Sequence, residues 1–329
     1  MAQKELIEDG TLVLQQGMQE DHAYKVESGT LDIFARTTDG SELLLAQVGP
    51  GDVIGEMAVV LGSKRCANAR ANGQVILTRI PGHELRRDIQ KSETARGKMM
   101  RLIANRVVRN IPLFADLSPR EKMKLPAGEG PFLYPKKSCL FQEGEPITHL
   151  YILCSGHVQH FNTTAGNEEI TVELHKAGDV FCKSAACLTD GVYRTGARAI
   201  DDVYAVKLPV DAFKSVLRKH DKVAERLMTS LAERNMLKQL EMEQRATMKA
   251  PEILSSFLRR ICASYGLDPQ GFTLPYKKSL IAARLGMETG TLSRAWPKLA
   301  DYGIVTNGAR ITIVDEDPRT NRHLNYPQI

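Results

Sequence analysis

Residues 55–71 of the chain read GEMAVVLGSKRCANARA and decide the fold of its first part. The stretch follows a Gly-Pro-Gly-Asp turn signal at 49–52, and Gly55 opens a short apolar segment typical of one or two helical turns. Backbone amides at the start of such a helix can hold an anion. Arg65 could complete that site with a charge-assisted hydrogen bond, and Glu56 could accept a hydrogen bond from a sugar hydroxyl. The stretch therefore predicts a site that suits a cyclic nucleotide.

The same stretch resembles the phosphate-binding cassette of cyclic nucleotide-binding domains, in which Gly-Glu-hydrophobic-Ala is followed by Arg-Ser/Thr-Ala. The resemblance implies cyclic AMP or cyclic GMP as an effector. The matching residues are Gly55, Glu56, Met57, Ala58, Arg65, Cys66 and Ala67. Cys66 departs from the pattern, because a hydroxyl usually contacts the phosphate there and a thiol is a weaker donor. The alternative interpretation is that Glu56 and Arg65 form an ordinary surface pair on a barrel that binds no nucleotide.

Composition places the chain among ordinary globular proteins. It has 329 residues, enough for two or three domains, with 43% hydrophobic and 25% charged residues and a net charge of +5. The N-terminal residues do not resemble a signal peptide, and no apolar run reaches the length of a membrane span. We therefore expect a cytoplasmic protein without membrane contact.

Cysteines and histidines are dispersed along the chain. The six cysteines contain no CxxC pair, so we expect buried thiols and no metal centre. His157 and His160 lie on a strand-like segment, where we expect satisfied or exposed side chains. The sequence contains no catalytic constellation, which argues against an enzyme.

The chain contains a long internal repeat. Tyr24 returns as Tyr151, and the Gly-Asp-Val triplet at 51–53 returns at 178–180, both at an offset of 127 residues. A constant offset through turns and strand-like runs indicates a duplicated domain. Many short strands separated by turns predict a β-roll or jelly-roll barrel for each copy.

The second copy has lost the ligand pattern of the first. Cys182 stands where the first copy has Gly55, and Lys183 stands where it has Glu56. An Arg-Thr pair at 194–195 is kept, one residue short of the final alanine. We therefore expect any nucleotide in the first copy.

Two proline-free segments are predicted to be helical. Residues 84–110 form a helix with a basic, solvated side that includes Arg106. Residues 211–248 contain a second, longer helix whose apolar stripe favours pairing with a second subunit; packing on its own barrel is the alternative. The stripe consists of Val223, Leu227, Leu231, Leu237 and Met248, with Arg234 interrupting it.

The C-terminal part has the pattern of a winged helix-turn-helix. Residues 274–299 predict two helices joined at Gly286, and two strand-like runs follow around an Asn-Gly turn at 307–308. This tail resembles the winged helix of the cyclic-AMP receptor protein and fumarate-nitrate regulator (CRP/FNR) family. The resemblance implies a homodimer on palindromic double-stranded DNA, with RNA polymerase as a further partner.

The resemblance also indicates which residues would contact DNA. Thr291, Ser293 and Arg294 match the reading helix, and Arg294 could pair with guanine. Gly290 replaces a glutamate, and Pro297 is expected to kink or shorten the helix. The candidate DNA-binding residues are Lys277, Lys278, Thr289, Thr291, Ser293, Arg294, Lys298 and Arg310.

These patterns predict an α+β multidomain fold. It consists of two tandem jelly-roll or β-roll cyclic nucleotide-binding-like domains, a long dimerisation helix and a C-terminal winged helix-turn-helix. The expected boundaries are 1–110, 111–248 and 249–329. The function they favour is a ligand-responsive, dimeric, DNA-binding transcription regulator. The alternatives are a nucleotide-controlled protein-interaction module that has lost DNA binding, and a haem-based gas sensor.

Overall fold

The computed structural model describes residues 4–36, 42–164, 166, 169–188 and 191–314. In chain order it contains a first barrel, a second barrel with a long helix, and a winged helix unit. The first barrel consists of β1 (Lys4–Ile7), β2 (Leu12–Leu14), β3 (His22–Arg36), β4 (Glu42–Val48), β5 (Val53–Ile54), β6 (Asn68–Pro81), α1 (Glu56–Leu61), α2 (Gly82–Lys91) and α3 (Glu93–Arg109).

The first barrel is one antiparallel sheet that rolls around an apolar core. Its strand order is β1-β6-β3-β4, with β2 paired to β6 and β5 paired to β3. The long strand β3 bends at Gly29, which has a φ of +84° and touches the backbone at Gln74 so closely that a Cβ would overlap it. The bend turns one strand through both faces of the roll, which encloses Val26 and Leu31.

The predicted helix over 84–110 is two helices. Ser92 separates them, because its backbone is extended and its hydroxyl accepts a hydrogen bond from the Ala95 amide at 3.2 Å. Ile103, Ala104 and Val108 on α3 are buried. The prediction of a single helix was therefore wrong at its centre, where a serine N-cap starts a new axis.

The second barrel repeats the fold of the first. A short 3₁₀ turn at Pro112–Phe114 precedes it. Its elements are α4 (Pro119–Met123), β7 (Glu129–Tyr134), β8 (Cys139–Phe141), β9 (His149–Ser155), β10 (Val158–Thr163), β11 (Glu169–His175), β12 (Val180–Phe181), α5 (Lys183–Cys187), β13 (Gly196–Ala199), β14 (Val203–Pro209), α6 (Val210–Lys219) and α7 (Asp221–Thr247). Two antiparallel sheets, β11-β10-β13-β8 and β12-β9-β14-β7, form the roll.

Hydrogen bonds confirm the duplication at the predicted offset. The Val26 amide donates to the Asp52 carbonyl at 2.9 Å, and the Leu153 amide donates to the Asp179 carbonyl at the same distance. A surface cluster is repeated as well. In each copy an arginine lies 4.3 Å from a phenylalanine ring and makes a two-pronged ion pair with a glutamate; the clusters are Arg70–Phe34–Glu42 and Arg198–Phe161–Glu169.

The long helix α7 spans 27 residues, about 40 Å, after a break at His220. Val223 and Leu227 are buried in the core of the second barrel, and Leu231 packs against that core. These members of the predicted dimerisation stripe therefore face their own barrel, which corrects their assignment to a partner. There they complete the apolar core that includes Phe213 of α6.

The winged helix unit packs around one apolar core. Its elements are α8 (Ala250–Ser264), β15 (Phe272–Thr273), α9 (Lys278–Leu285), α10 (Thr289–Ala295), a 3₁₀ helix (Trp296–Tyr302), β16 (Ile304–Asn307) and β17 (Arg310–Ile313). Gly286 ends α9 with a φ of +67°, as the predicted turn requires. The wing is β16 and β17, and β15 adds a third strand beside β17 that the sequence pattern did not indicate.

The expectation of buried thiols holds for two cysteines. Cys182 and Cys262 are buried and Cys154 is half-buried, whereas the other three are exposed: Cys66, Cys139 and Cys187. Cys66 lies in the loop before β6, Cys139 at the start of β8 and Cys187 at the end of α5, where a small side chain need not face the core. Among the described residues no helix combines the length and apolar character needed to cross a bilayer.

Candidate ligand and DNA-binding sites

Gly55 and Arg65 form the base of the candidate ligand site in the first barrel. Gly55 precedes α1 with a φ of +75°, a conformation that favours glycine. A Cβ at this position would also overlap the Arg65 guanidinium. The backbone turn that opens α1 therefore favours glycine for two reasons, its conformation and the space that Arg65 occupies.

Arg65 is held by three acceptors inside the first barrel. Its Nη1 donates to the Gly55 carbonyl at 2.7 Å, its Nη2 to the His22 carbonyl at 2.6 Å, and its Nε to Glu20 at 3.1 Å. The residue is only 3% exposed. Three of its five N–H groups are thus engaged by described residues, which leaves two for an anion.

Glu56 is 2% exposed and is paired with an arginine from another helix. Arg106 of α3 donates from Nη1 to Glu56 Oε1 and to the Val53 carbonyl, both at 2.6 Å. Its neighbours Ala104 and Val108 are buried in the core of the second barrel. Glu56 is therefore joined through α3 to the second barrel.

Arg106 was missed as a functional residue, because its sequence context indicated a solvated basic face. Its side chain is in fact largely buried. On α3 Arg106 lies on the side opposite to Ala104 and Val108, so the helical pattern gave no signal of this burial, which depends on the contact with Glu56. The remaining predicted ligand residues surround the site: Met57 and Ala67 are half-buried, Ala58 is buried, and Cys66 is exposed. The Cys66 and Met57 sulfur atoms lie 4.0 Å apart.

Tyr193 occupies the Arg65 position in the second barrel. The Gly17 amide donates to the Arg65 carbonyl, and its repeat equivalent Gly144 donates to the Tyr193 carbonyl. The Tyr193 hydroxyl donates to the His149 carbonyl at 2.9 Å, as Arg65 does to the His22 carbonyl. The interpretation of 194–195 as the retained arginine pattern was wrong, since these equivalent hydrogen bonds place Tyr193 at the Arg65 position.

The other second-barrel positions have also changed. Cys182 keeps the positive φ of Gly55, at +67°. Lys183 donates from Nζ to the Ser230 hydroxyl of α7 at 2.9 Å, and burial together with the charge of Arg234 lowers the pKa of Lys183. Tyr193 stacks on Phe141 with ring centroids 3.9 Å apart. This end of the second barrel is filled by aromatic rings.

His157 and His160 differ from each other in their surroundings. His157 is half-buried and bonded to Asp201, as expected of a satisfied histidine. His160 is buried, and within the described part of the chain its Nε2 has no hydrogen-bond partner. The expectation for His160 was wrong because the rings of Phe141, Phe181 and His175 pack around it. Burial, and then the charges of His175 and Arg234, lower the pKa of His160 well below its ordinary value.

The candidate reading helix α10 presents its polar side to solvent. Thr289, Ser293 and Arg294 are exposed and Thr291 is half-buried, while Leu292 on the opposite side is buried in the core of the unit. Arg294 folds back on the helix, with Nη2 3.3 Å from the Thr291 hydroxyl. Because the Arg294 side chain is exposed, it could leave this contact and extend towards a base edge.

The structure shows what two unusual residues do in this helix. Gly290 has open space around its Cβ direction, so no steric need excludes a side chain there. Pro297 lies in the first turn of the 3₁₀ helix that follows α10. The predicted shortening is confirmed, since α10 ends at Ala295.

The candidate phosphate-contacting residues are all exposed: Lys277, Lys278, Lys298 and Arg310. Lys278 also lies over the Trp296 ring, with Nζ 4.1 Å from the centroid. Arg310 starts the second wing strand, and its Nη2 lies 3.4 Å from the Gln270 carbonyl. These cations lie at the start of α9, on the 3₁₀ helix that follows α10 and on the wing.

Glu241 holds the winged helix unit against α7. Its carboxylate accepts from Arg284 of α9 at 2.8 Å and from Arg260 of α8 at 2.9 Å. Beside it, Gln244 donates to the buried Ser256 hydroxyl at 3.0 Å. The orientation of the unit on the long helix is thus fixed by buried polar contacts.

Comparison with known proteins assigns the three units. Residues 4–92 and 131–220 match the model of the cyclic nucleotide-binding domain, and residues 253–317 match the Crp-like helix-turn-helix domain. Neither description names a catalytic domain. The two matches to the first model together cover more than half of the chain.

Individual relatives cover different parts of this architecture. The cAMP-dependent protein kinase regulatory subunit of Emericella nidulans is 28% identical over 213 residues, 62% of this chain and 50% of that protein. The chain thus spans about half the length of such relatives. The cyclic AMP receptor protein of Thermus thermophilus is 28% identical over 197 residues, 60% of this chain and 89% of that protein.

A solved structure supports the fold. FixK2 from Bradyrhizobium japonicum aligns with a TM-score of 0.50 and 23% identity, over 58% of this chain and 94% of that one. The order of the units along the chain, two cyclic nucleotide-binding domains followed by a Crp-like helix-turn-helix, confirms the predicted architecture. The chain belongs to the cyclic nucleotide-binding domain family and has the build of a CRP/FNR-type regulator.

Proposed function

We propose that this protein is a homodimeric, cytoplasmic DNA-binding transcription regulator, not an enzyme, and that a cyclic nucleotide bound in the first barrel controls it. The observation that carries the proposal is the contact between Glu56 and Arg106. It joins a predicted ligand residue to a helix whose other side belongs to the core of the second barrel. A ligand that takes Glu56 changes that connection.

The chemistry of the contact suits a nucleotide. The ribose hydroxyl would compete with Arg106 for the Glu56 carboxylate, and the cyclic phosphate would accept from the free N–H groups of Arg65. Because Arg65 is buried, the phosphate reaches it only after Glu20 or α1 moves. Binding is therefore coupled to a change of conformation, and the ligand shifts the equilibrium by its preference for one arrangement.

Calorimetric titration of the full chain with cyclic AMP and cyclic GMP tests the ligand part. We expect heat with wild type and loss of that heat in Glu56→Ala. Lys183→Ala is the matched control, since it changes the equivalent position of the second barrel, and it should titrate as wild type does. No heat with either nucleotide, or heat that Glu56→Ala leaves unchanged, would remove the first barrel as the sensor.

The dimer part rests on the free face of α7. Met228 and Met242 are 62% and 70% exposed, and together with exposed Ala232 they lie on one side of the helix. A second copy of the same helix would bury this apolar stripe. Light scattering should give twice the monomer mass. The double variant Met228→Glu with Met242→Glu should reduce that mass, whereas Met123→Glu, a control at an exposed methionine of α4, should not. A monomeric wild type would contradict the proposal.

The DNA part rests on the exposed side of α10. A twofold dimer would place two copies of α10 in successive major grooves of a palindromic site, and regulation would then act on RNA polymerase bound nearby. Selection from random duplex DNA should enrich a palindrome. Arg294→Ala should lose discrimination of about 1–3 kcal/mol at one base pair, whereas Lys298→Ala should weaken all sequences alike. No enriched sequence, with Gly290 and Pro297 present, would instead favour a protein-interaction module.

A further inference from the structure

Three potential metal ligands meet on neighbouring strands of the second barrel. His160 on β10 is the direct register partner of Glu173 on β11, and His175 follows two residues later on the same face. The nearest ligand atoms of the three side chains all lie within 4.8 Å of one another. We call these residues the His-Glu-His cluster.

The repeat shows that the barrel fold does not require this cluster. At the offset of 127 residues, the first barrel has Ile33, Ala46 and Val48, and Ile33 is likewise paired with Ala46. Three apolar positions of the first copy have thus become two imidazoles and a carboxylate in the second. A change at all three positions of one wall indicates a ligand for those groups.

The histidines are oriented as ligands. They are 6% and 4% exposed, and the Nε2 atom of each is buried without a hydrogen-bond partner among the residues that the structure describes. His175 Nδ1 lies 3.6 Å from Asp179, a carboxylate placed to orient the ring from its far side. Buried polar atoms without a partner are costly, and a metal ion bound between them would remove that cost.

We propose that His160, Glu173 and His175 bind a divalent transition-metal ion of the zinc class. Two imidazole nitrogens and one carboxylate oxygen form a ligand set that suits such an ion, with a fourth position for water. Metal–ligand bonds of about 2.1 Å place tetrahedral ligand atoms about 3.4 Å apart. Closing the cluster from its present spacing therefore takes side-chain rotations and no change of strand register.

Metal binding at the cluster would compete with an ion pair to the long helix. Glu173 is the partner of Arg234 on α7. A metal ion that takes the carboxylate releases Arg234, and the positive charge of the ion repels the guanidinium. The site thus connects metal occupancy with the position of α7.

The same strand also carries the winged helix unit. Leu174 lies between the two β11 ligands and packs from the opposite face against the core of that unit, and α9 contacts β11. Metal binding would therefore act on both α7 and the docking strand of the DNA-binding unit. This regulatory part rests on the proposed function, whereas the metal site itself does not.

Titration of the full chain, after treatment with chelator, tests the site directly. Cobalt(II) is the probe, because tetrahedral coordination gives visible absorption bands, and zinc(II) competition then measures affinity. We expect one ion per chain. The double variant His160→Ile with His175→Val installs the residues of the first barrel and should weaken binding at least a hundredfold, while exposed His83→Gln should bind as wild type does.

Two further variants keep the test decisive if the double variant does not fold. Arg234→Gln removes the competitor for Glu173 and should tighten binding about tenfold, and Glu173→Gln should weaken it by at least that factor. Equal binding in all variants, or no stoichiometric binding, would overturn the proposal. None of these readouts uses nucleotide or DNA, so failure of the metal site and failure of the proposed function remain distinguishable.

Discussion

The two barrels keep one scaffold and differ in the chemistry that it holds. The Asp52 and Asp179 carbonyls accept equivalent hydrogen bonds, and each copy has its arginine–phenylalanine–glutamate cluster. In contrast, Arg65 of the first copy is replaced by Tyr193 in the second. Contacts between strand ends were retained, and the positions around the opening of the short helix diverged.

The difference teaches where a duplicated fold can change. Tyr193 donates to the His149 carbonyl, the equivalent of the His22 carbonyl that Arg65 uses, so the barrel end stays closed while the cation is lost. The wall position Ile33 has become His160. A ligand site can thus disappear from one end of a barrel and new polar chemistry can arise on its wall without a change of strand register.

The largest expected effect is at the residue that opens each short helix. Gly55→Ala should lower the free energy of unfolding of the first barrel by about 2–4 kcal/mol, because the positive φ is unfavourable and the new Cβ overlaps Arg65. Cys182→Gly should change stability by about 1 kcal/mol or less, since relief of the positive φ offsets loss of a buried thiol. Calorimetric unfolding of both variants checks this. If Gly55→Ala unfolded with the free energy of wild type, the two equivalent positions would not differ in their need for glycine.

An intermediate effect is expected from the pH dependence of the free energy of unfolding, measured with chelator present. The folded-state pKa of His160 lies below its ordinary value of 6.5. The unfolded chain therefore takes up a proton first as pH falls below about 6.5, and stability is lost in that window by at most about 1.4 kcal/mol per pH unit. His160→Ile, which copies Ile33, should remove this slope between pH 6.5 and 5. An unchanged slope would assign the acid sensitivity to other groups.

The smallest effect is expected where the two copies agree. Arg70→Met and Arg198→Met each remove an ion pair and a ring contact at the surface. Exposed ion pairs contribute little to stability. The thermal unfolding midpoint of each variant should therefore shift by about 2 °C or less, and by similar amounts in the two variants. A large shift of the midpoint in only one of the two variants would show that the two clusters contribute differently to stability.

The architecture was readable from the sequence because its signals are local or periodic. The repeat offset, the Gly286 turn and the Asn-Gly turn of the wing each depend on a few neighbouring residues. The helix breaks at Ser92 and His220 were missed, since a cap is decided by backbone geometry as well as residue type.

The sites were predicted less completely, because their contacts join distant segments. Arg106 reaches Glu56 only because α3 packs on the second barrel. His160 and Glu173 meet through strand register, which residue spacing does not reveal. Val223 faces its own barrel, since an apolar stripe indicates burial and does not identify what covers it.

The account depends most on the connection from the first barrel to the rest of the molecule. Its direct test is the affinity for the selected DNA site, measured by fluorescence anisotropy with and without cyclic nucleotide, in wild type and Arg106→Gln. We predict that nucleotide changes the DNA affinity of wild type at least tenfold, and that Arg106→Gln binds nucleotide but shows no such change. A full nucleotide response in Arg106→Gln would contradict the account.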